Sequence, residues 1–190
     1  MKPLLEIIVT PTRAGRVGRK LGDWLYSFAV DHSNFDVELI DLAEVNLPMF
    51  DEPKHPRLHQ YEHAHTKTWS KLVAKGDIYI FVMPEYDHLP PSSFINAVTY
   101  LSNEWNYKAA SFLSYGGISG GLRAVETARL MLNAVRMVPI LESITIPQYL
   151  QYINEDGDFR PNSAIENGAQ AVFDELFKVN NGLRTIRPKF

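Results

Sequence analysis

The run Leu4-Leu-Glu-Ile-Ile-Val-Thr-Pro-Thr-Arg-Ala-Gly-Arg-Val-Gly-Arg-Lys20 changes its backbone character twice. Leu4, Leu5, Ile7, Ile8 and Val9 are apolar, and the β-branched members suit a buried strand. Thr10 to Gly15 interrupts it, because Pro11 has no N–H to donate and Gly15 opens dihedrals closed to other residues. From Val17 the apolar residues recur at Leu21, Trp24, Leu25 and Phe28, the spacing of one helix face. Strand, loop and helix therefore follow one another. Arg13, Arg16, Arg19 and Lys20 crowd the start of that helix, with no Asp or Glu between Glu6 and Asp23. A helix N-terminus is already partly positive, and each exposed cation there is disfavoured by roughly 0.3–1 kcal/mol. An anion would relieve the repulsion and engage the free N–H groups, so the loop reads as a phosphate site. The other reading is a solvated basic turn, and neither a P-loop lysine nor a three-glycine dinucleotide fingerprint is present to decide between them.

The pattern continues outward. Asp36 to Ile40 alternates as a second strand, and Asn46 to Pro56 is a proline-rich loop whose Met49 and Phe50 are expected to anchor it. His55, His59 and His63 are spaced to share one helical face, with His65 beside them, but no further ligand completes a metal set. Trp69, Leu72 and Val73 mark a helix ending at Gly76, and Asp77 to Met83 is an almost unbroken apolar run, as in a central parallel strand stopped by Pro84. A helix carrying Phe94, Val98 and Leu101 follows, then a strand from Ala109 to Ser114. Gly116, Gly117, Gly120 and Gly121 crowd the next loop and would let a backbone lie against a flat ligand. A helix from Leu122 to Val135, a last strand between Val138 and Ile146, and a helix opened by a Ser163/Glu166 capping box complete the order. Right-handed crossovers then give a doubly wound α/β sheet with ligands beyond the carboxyl ends of its strands. The loops after the first, third and fourth strands meet at that edge: one phosphate end and two walls for a planar ring.

Composition narrows the partners. A chain of 190 residues, 45% hydrophobic, suits a single domain spanning 1–190. A formal charge of −3 leaves no general basic surface for nucleic acid. The lack of cysteine removes thiolate and disulfide chemistry, so a redox role needs a cofactor. No apolar run approaches the roughly 18 residues of a membrane span, and the cytoplasm is the expected location.

On these motifs the chain resembles the NADPH-dependent FMN reductases of flavodoxin-like fold, a family that includes quinone, chromate and azo-dye reductases. The resemblance spans Leu5 to about Pro147. The family's first loop, approximately Gly-Ser-x-Arg-x-x-Arg, is matched by Thr10-Pro-Thr-Arg-Ala-Gly-Arg16. It implies that Thr12, Arg13, Arg16, Val17 and Gly18 hold the FMN phosphate. Its Pro-Glu-Tyr-Asn motif stands here as Pro84-Glu-Tyr-Asp87, and its Tyr-Gly-Gly-x-x-Gly-Gly-x-Arg as Tyr115 to Arg123. These imply flavin contacts from Pro84, Glu85, Tyr86, Asp87 and His88 on one side, and from Ser114, Tyr115, Gly116, Gly117 and Gly120 on the other. The resemblance further implies a five-stranded sheet in the order 2-1-3-4-5 in a three-layer sandwich, NADPH or NADH as electron donor, a small acceptor, and a homodimer or homotetramer. No catalytic side chain is expected, because the flavin carries the chemistry. Tyr86 and Tyr115 either wall the ring or pack within their loops, and Arg123 answers either Glu126 or the glycine loop. Two departures stand out: Asp87 for the usual Asn, and Ile95-Asn-Ala-Val-Thr99 for the usual Lys-Asn-Ala-Ile-Asp. A flavodoxin-like electron carrier without NAD(P)H activity, and a flavin-free binding protein, are the rival functions.

Overall fold

The computed structural model describes residues 2–187. The leading apolar run is β1 (Leu4–Val9), and the helix after it is α1 (Gly18–His32). There follow β2 (Asp36–Asp41), a short α2 (Leu42–Val45), α3 (Ala64–Lys75), β3 (Ile78–Pro84), α4 (Ser92–Thr99), β4 (Ala109–Tyr115) and α5 (Leu122–Ala134). Two short strands, β5 (Val138–Pro139) and β6 (Ile144–Ile146), precede α6 (Ser163–Leu183). All strand pairs are parallel, in the order β2-β1-β3-β4-β5, with β6 also on β4. This is the expected 2-1-3-4-5 sheet.

Each central strand is covered on both faces, which is why the apolar runs are continuous rather than alternating. Leu5, Ile7, Val9, Ile80 and Val82 point to the layer of α1 and α6. Ile8, Tyr79, Phe81, Met83 and Phe112 point to the layer of α3, α4 and α5. Trp69 and Trp105 fill the second layer, and their indole N–H groups donate to the carbonyls of Ala97 and Val98 in α4 at 2.9 and 3.2 Å. Burying such rings costs little once the polar edge is bonded.

Five local expectations change. The last strand is split: Pro139 offers no N–H, the Arg129 guanidinium bonds the carbonyls of Ile140 and Leu141, and Ser111 Oγ donates to the Glu142 carbonyl at 2.7 Å. Ile140 N–H makes a last bond to the Ala110 carbonyl at 2.9 Å, and residues 141–143 leave the ladder between the two pieces. Pro84 does not stop β3 but is its last residue, paired with Tyr115. Asn162, not Ser163, caps α6, its Oδ1 accepting from Ile165 N–H at 3.0 Å. The histidines share no helical face, since His55 begins a 3-10 turn over Pro56–Leu58, His59 stands left-handed at φ 51°, and α3 starts only after His63. His63 and His65 stack beside Asp51, and among the described residues no three His, Asp or Glu side chains are placed to hold a metal ion. Finally, Met49 does not anchor its loop, being 77% exposed, whereas Phe50 packs edge-on against Tyr100 and donates its N–H to Asn96 Oδ1 at 2.9 Å. No helix among the described residues is long and apolar enough to cross a membrane.

Candidate functional site

Strand register brings three loops to one edge. Val9 lies opposite Val82, Val82 opposite Leu113, and Pro84 opposite Tyr115, so β1, β3 and β4 release their loops side by side. The first loop is pinned at its root: Thr10 donates through both N–H and Oγ1 to the Val82 carbonyl at 3.0 and 2.8 Å, and Ser93 Oγ donates to the Thr10 carbonyl at 2.5 Å. Beyond the root Thr12 and Arg13 are exposed; the Arg13 carbonyl accepts from Arg16 N–H at 3.2 Å, and its guanidinium has no hydrogen bond or ion pair among the described residues. Val17 occupies the N-cap position of α1 without a side-chain cap, and the first turn holds no acid. The uncapped head of α1 and the exposed Arg13 thus stand together at this edge, a donor set that fits a phosphate.

The remaining cations behave differently from the sequence expectation. Arg16 lies 2.6 Å from Asp41, whose side chain is fully buried at the end of β2. Arg19 reaches Asp23 at 2.8 Å and Glu44 at 2.6 Å. The charge at the head of α1 is therefore partly balanced from β2 and α2, and of these arginines Arg13 alone has a guanidinium without a hydrogen bond or ion pair among the described residues. Asp41 also accepts from Ala43 N–H at 2.9 Å, capping α2. Sequence reasoning missed Asp41 as a site residue; its signal was its place at the carboxyl end of β2, opposite Val9.

The second loop is a tight reversal. Tyr86 and Leu89 exchange N–H to carbonyl bonds at 3.0 and 2.9 Å, while Asp87 and His88 stand left-handed at φ 50° and 68°. Two successive positive φ values are the requirement of a two-residue hairpin turn, and Asp tolerates that region as Asn does. Asp87 and His88 are exposed at its tip, whereas Tyr86 is half-buried. Glu85 turns inward. It accepts from Ser119 Oγ at 3.0 Å and from the Arg123 N–H and guanidinium at 3.1 and 2.8 Å. Arg123 therefore supports the loops, and Glu126 takes Arg129 instead.

The third loop separates its glycines by role. Gly120 and Gly121 have φ of 60° and 87°, and a Cβ on Gly120 would lie 2.7 Å from Thr145 Cγ2 and 2.9 Å from Pro147 N. They let the loop fold back on β6. Gly116 is also packed within the loop, a Cβ there falling 3.1 Å from Gly121 N. Gly117 is different: a Cβ there would meet nothing within 4 Å, so its open side is available to a flat ligand. Tyr115, by contrast, is largely covered by its own chain. It is buried, packs edge-on against Tyr149, and its hydroxyl stands where a Cβ on Gly18 would be 2.8 Å away. That contact explains glycine at the first residue of α1. Burial pushes the Tyr115 hydroxyl up, keeping it neutral. Ser114, also buried, leaves its Oγ without a partner at the rim of the same edge. A neighbouring cavity of about 380 Å³ lies between Thr12 and α4, lined also by Asn46, Leu47, Ser93 and Asn96.

Comparison with known proteins follows the same geometry. The profile of a family described as NADPH-dependent FMN reductase matches residues 4–151. An NAD(P)H-dependent FMN reductase of Schizosaccharomyces pombe is 32% identical over 149 residues, covering 77% of this chain and 74% of the relative. One from Nectria sp. is 35% identical over 126 residues, covering 63% of this chain and 62% of the relative. In three dimensions the chain is similar to FerB, a flavoenzyme NAD(P)H:(acceptor) oxidoreductase from Paracoccus denitrificans, with a TM-score of 0.76 at 18% identity over 96% of this chain and 98% of that one.

Proposed function

We propose, from the premise that this chain belongs to the NADPH-dependent FMN reductase family, that its three-loop edge holds FMN and serves the reduction of a small acceptor. The enzyme class, an NAD(P)H-dependent FMN oxidoreductase, comes with the family. The observation that carries the placement is the convergence of an uncapped, acid-free α1 N-terminus, the unpaired Arg13 and the open Gly117 on one sheet edge. Bound there, FMN would supply two-electron chemistry between NAD(P)H and a small acceptor such as a quinone, azo compound, metal oxyanion or free flavin.

The chain's own residues do the holding. Thr12, Arg13 and the first N–H groups of α1 receive the phosphate, while Asp41 keeps Arg16 extended beside them. Gly117, whose open side meets nothing within 4 Å, and the backbone around Tyr86 would hold the ring. The residues at this edge exclude water and fix orientation, and no side-chain acid or base is assigned. Ile95, Ile118 and Leu122, each at least 40% exposed on α4, the glycine loop and the start of α5, favour a homodimer or homotetramer that covers them. We place the enzyme in the cytoplasm.

Anaerobic titration of FMN-reconstituted protein with NADPH and with NADH tests the reading. Bleaching of the flavin absorption at equivalence is expected. Bound FMN that neither nucleotide bleaches would instead mark an electron carrier, and failure to take up FMN would mark a flavin-free binding protein.

A further inference from the structure

The reversal after β3 and the glycine loop after β4 are distant in sequence, and one carboxylate joins them. Glu85 accepts from Ser119 Oγ, from Arg123 N–H and from the Arg123 guanidinium, all between 2.8 and 3.1 Å. Helix α5 has no capping side chain of its own, and the N-cap residue is the left-handed Gly121. Glu85 thus supplies from another loop the acceptor that the first turn of α5 lacks. The carboxylate side chain is 9% exposed, against 53% for Arg123. Burial would raise the pKa of Glu85, but the hydrogen bonds from Arg123 and Ser119 outweigh it and hold the carboxyl below the usual range. A fixed negative charge therefore stands at the root of both loops, balanced by one arginine.

We propose that Glu85 and Arg123 are positioning residues that brace the two ring-facing loops as one unit and hold the local charge near zero, thereby setting the midpoint potential of bound FMN. The proposal rests on the FMN reading above. Its electrostatic half has opposite signs for the two partners. Arg123→Gln leaves the Glu85 carboxylate unbalanced, which opposes the negative charge that reduction brings to the site, so the potential falls. Glu85→Gln leaves the guanidinium unbalanced, and the potential rises; the amide oxygen still accepts from Ser119 or from the Arg123 N–H. The double variant Glu85→Gln/Arg123→Gln returns towards the wild-type value. A brace without an electrostatic role would move both single variants in the same direction.

The test is potentiometric titration of the three variants and the wild type with FMN bound, beside amide hydrogen exchange of each protein without flavin. Opposed shifts in the single variants, recovered in the double, are expected, together with exchange of the residue-123 amide roughly tenfold or more faster in Glu85→Gln, where the charged acceptor of that N–H is replaced by a neutral amide. Shifts of the same sign, or none, with FMN bound overturn the charge balance. Unchanged exchange in every variant overturns the brace. If the wild type takes up no FMN, the reading of the site falls instead, and the exchange data still decide the brace.

Discussion

Arg13 and Arg16 look alike in the sequence, three residues apart at the head of one helix, yet the structure predicts opposite consequences for their removal. The Arg13 side chain is exposed and its guanidinium makes no hydrogen bond or ion pair among the described residues, so Arg13→Ala should leave urea stability within about 0.5 kcal/mol of the wild type. Its guanidinium is free to meet a phosphate, and a charge-assisted hydrogen bond is worth about 1.5–3 kcal/mol, or about 10- to 150-fold in Kd. Arg13→Ala should therefore weaken FMN by that factor and leave riboflavin, which lacks the phosphate, nearly unchanged. Arg16 is already engaged, 2.6 Å from Asp41, whose side chain is fully buried. Removing one partner of a buried pair costs about 3–5 kcal/mol. Here Arg19 remains at 3.4 Å and the Arg16 side chain is itself 22% exposed, which lowers the expected loss to about 1–3 kcal/mol. Arg16→Ala should thus destabilise the flavin-free protein, and adding Asp41→Asn should restore much of that stability. Fluorescence titration with both flavins, and urea unfolding without either, separate the two effects. Equal losses of FMN and riboflavin in Arg13→Ala would refute the phosphate role.

Three further outcomes follow from the geometry. Burial raises the fully covered Glu6 carboxyl to about 8 and lowers the neighbouring Lys108 ammonium to about 8. Between pH 4.5 and 8 the folded chain keeps a proton on Glu6 that the unfolded chain has released, so stability falls across that window; between pH 8 and 10.5 the unfolded chain keeps the Lys108 proton, so stability rises again. Urea unfolding against pH should show a minimum near pH 8, and Glu6→Gln should flatten its acid side; a variant profile parallel to the wild type would contradict this assignment. At the glycine loop, Gly120→Ala should cost about 1–3 kcal/mol because of its left-handed φ and its contact with Thr145, whereas Gly117→Val should leave stability near wild type and weaken flavin; the reverse pattern would exchange their roles. Asp87→Asn should raise the midpoint potential of bound FMN by removing a carboxylate near the ring, and an unchanged or lowered potential argues that Asp87 faces away.

Much of the fold was legible because the central strands are covered on both faces. The run Leu4–Val9, interrupted only by Glu6, and the run Ile78–Pro84 read as buried parallel strands, and the helix faces led by Leu21 and Val73 supplied the covers. The split of the last strand was not legible, since it depends on Arg129 reaching across to the carbonyls of residues 140 and 141. The histidine row misled for a related reason. Spacing says which residues would share a face if a helix forms, but Pro56 and the left-handed His59 place the helix start beyond most of them. At the site, loop positions were readable, while side-chain duties were not. Glu85, Arg16 and Tyr115 all stand in motifs suggestive of ligand contact, yet each is held by a partner from another element: Arg123, Asp41 and Gly18.

That separation between loop position and side-chain duty gives the two departures from the family pattern different meanings. At position 87 the backbone needs a left-handed residue, φ 50°, in a two-residue turn, and both Asn and Asp satisfy it. The change to Asp87 therefore preserves the turn and alters only a charge at an exposed tip, where selection on acceptor or potential can act without loss of fold. In the following helix, Ile95 and Thr99 replace a charged pair on an exposed face, and Thr99 Oγ1 simply bonds the Ile95 carbonyl at 2.7 Å. Between them Asn96 is kept, its amide holding the Pro48 carbonyl at 2.7 Å and the Phe50 N–H at 2.9 Å. The residue that fastens the loop over the cavity beside Thr12 is thus retained, while the outward pair has become apolar on Ile95. A helix that gives up surface charge but keeps its inward anchor is better suited to meeting another protein surface than to meeting solvent, which is why the self-association proposed here is expected to run through α4.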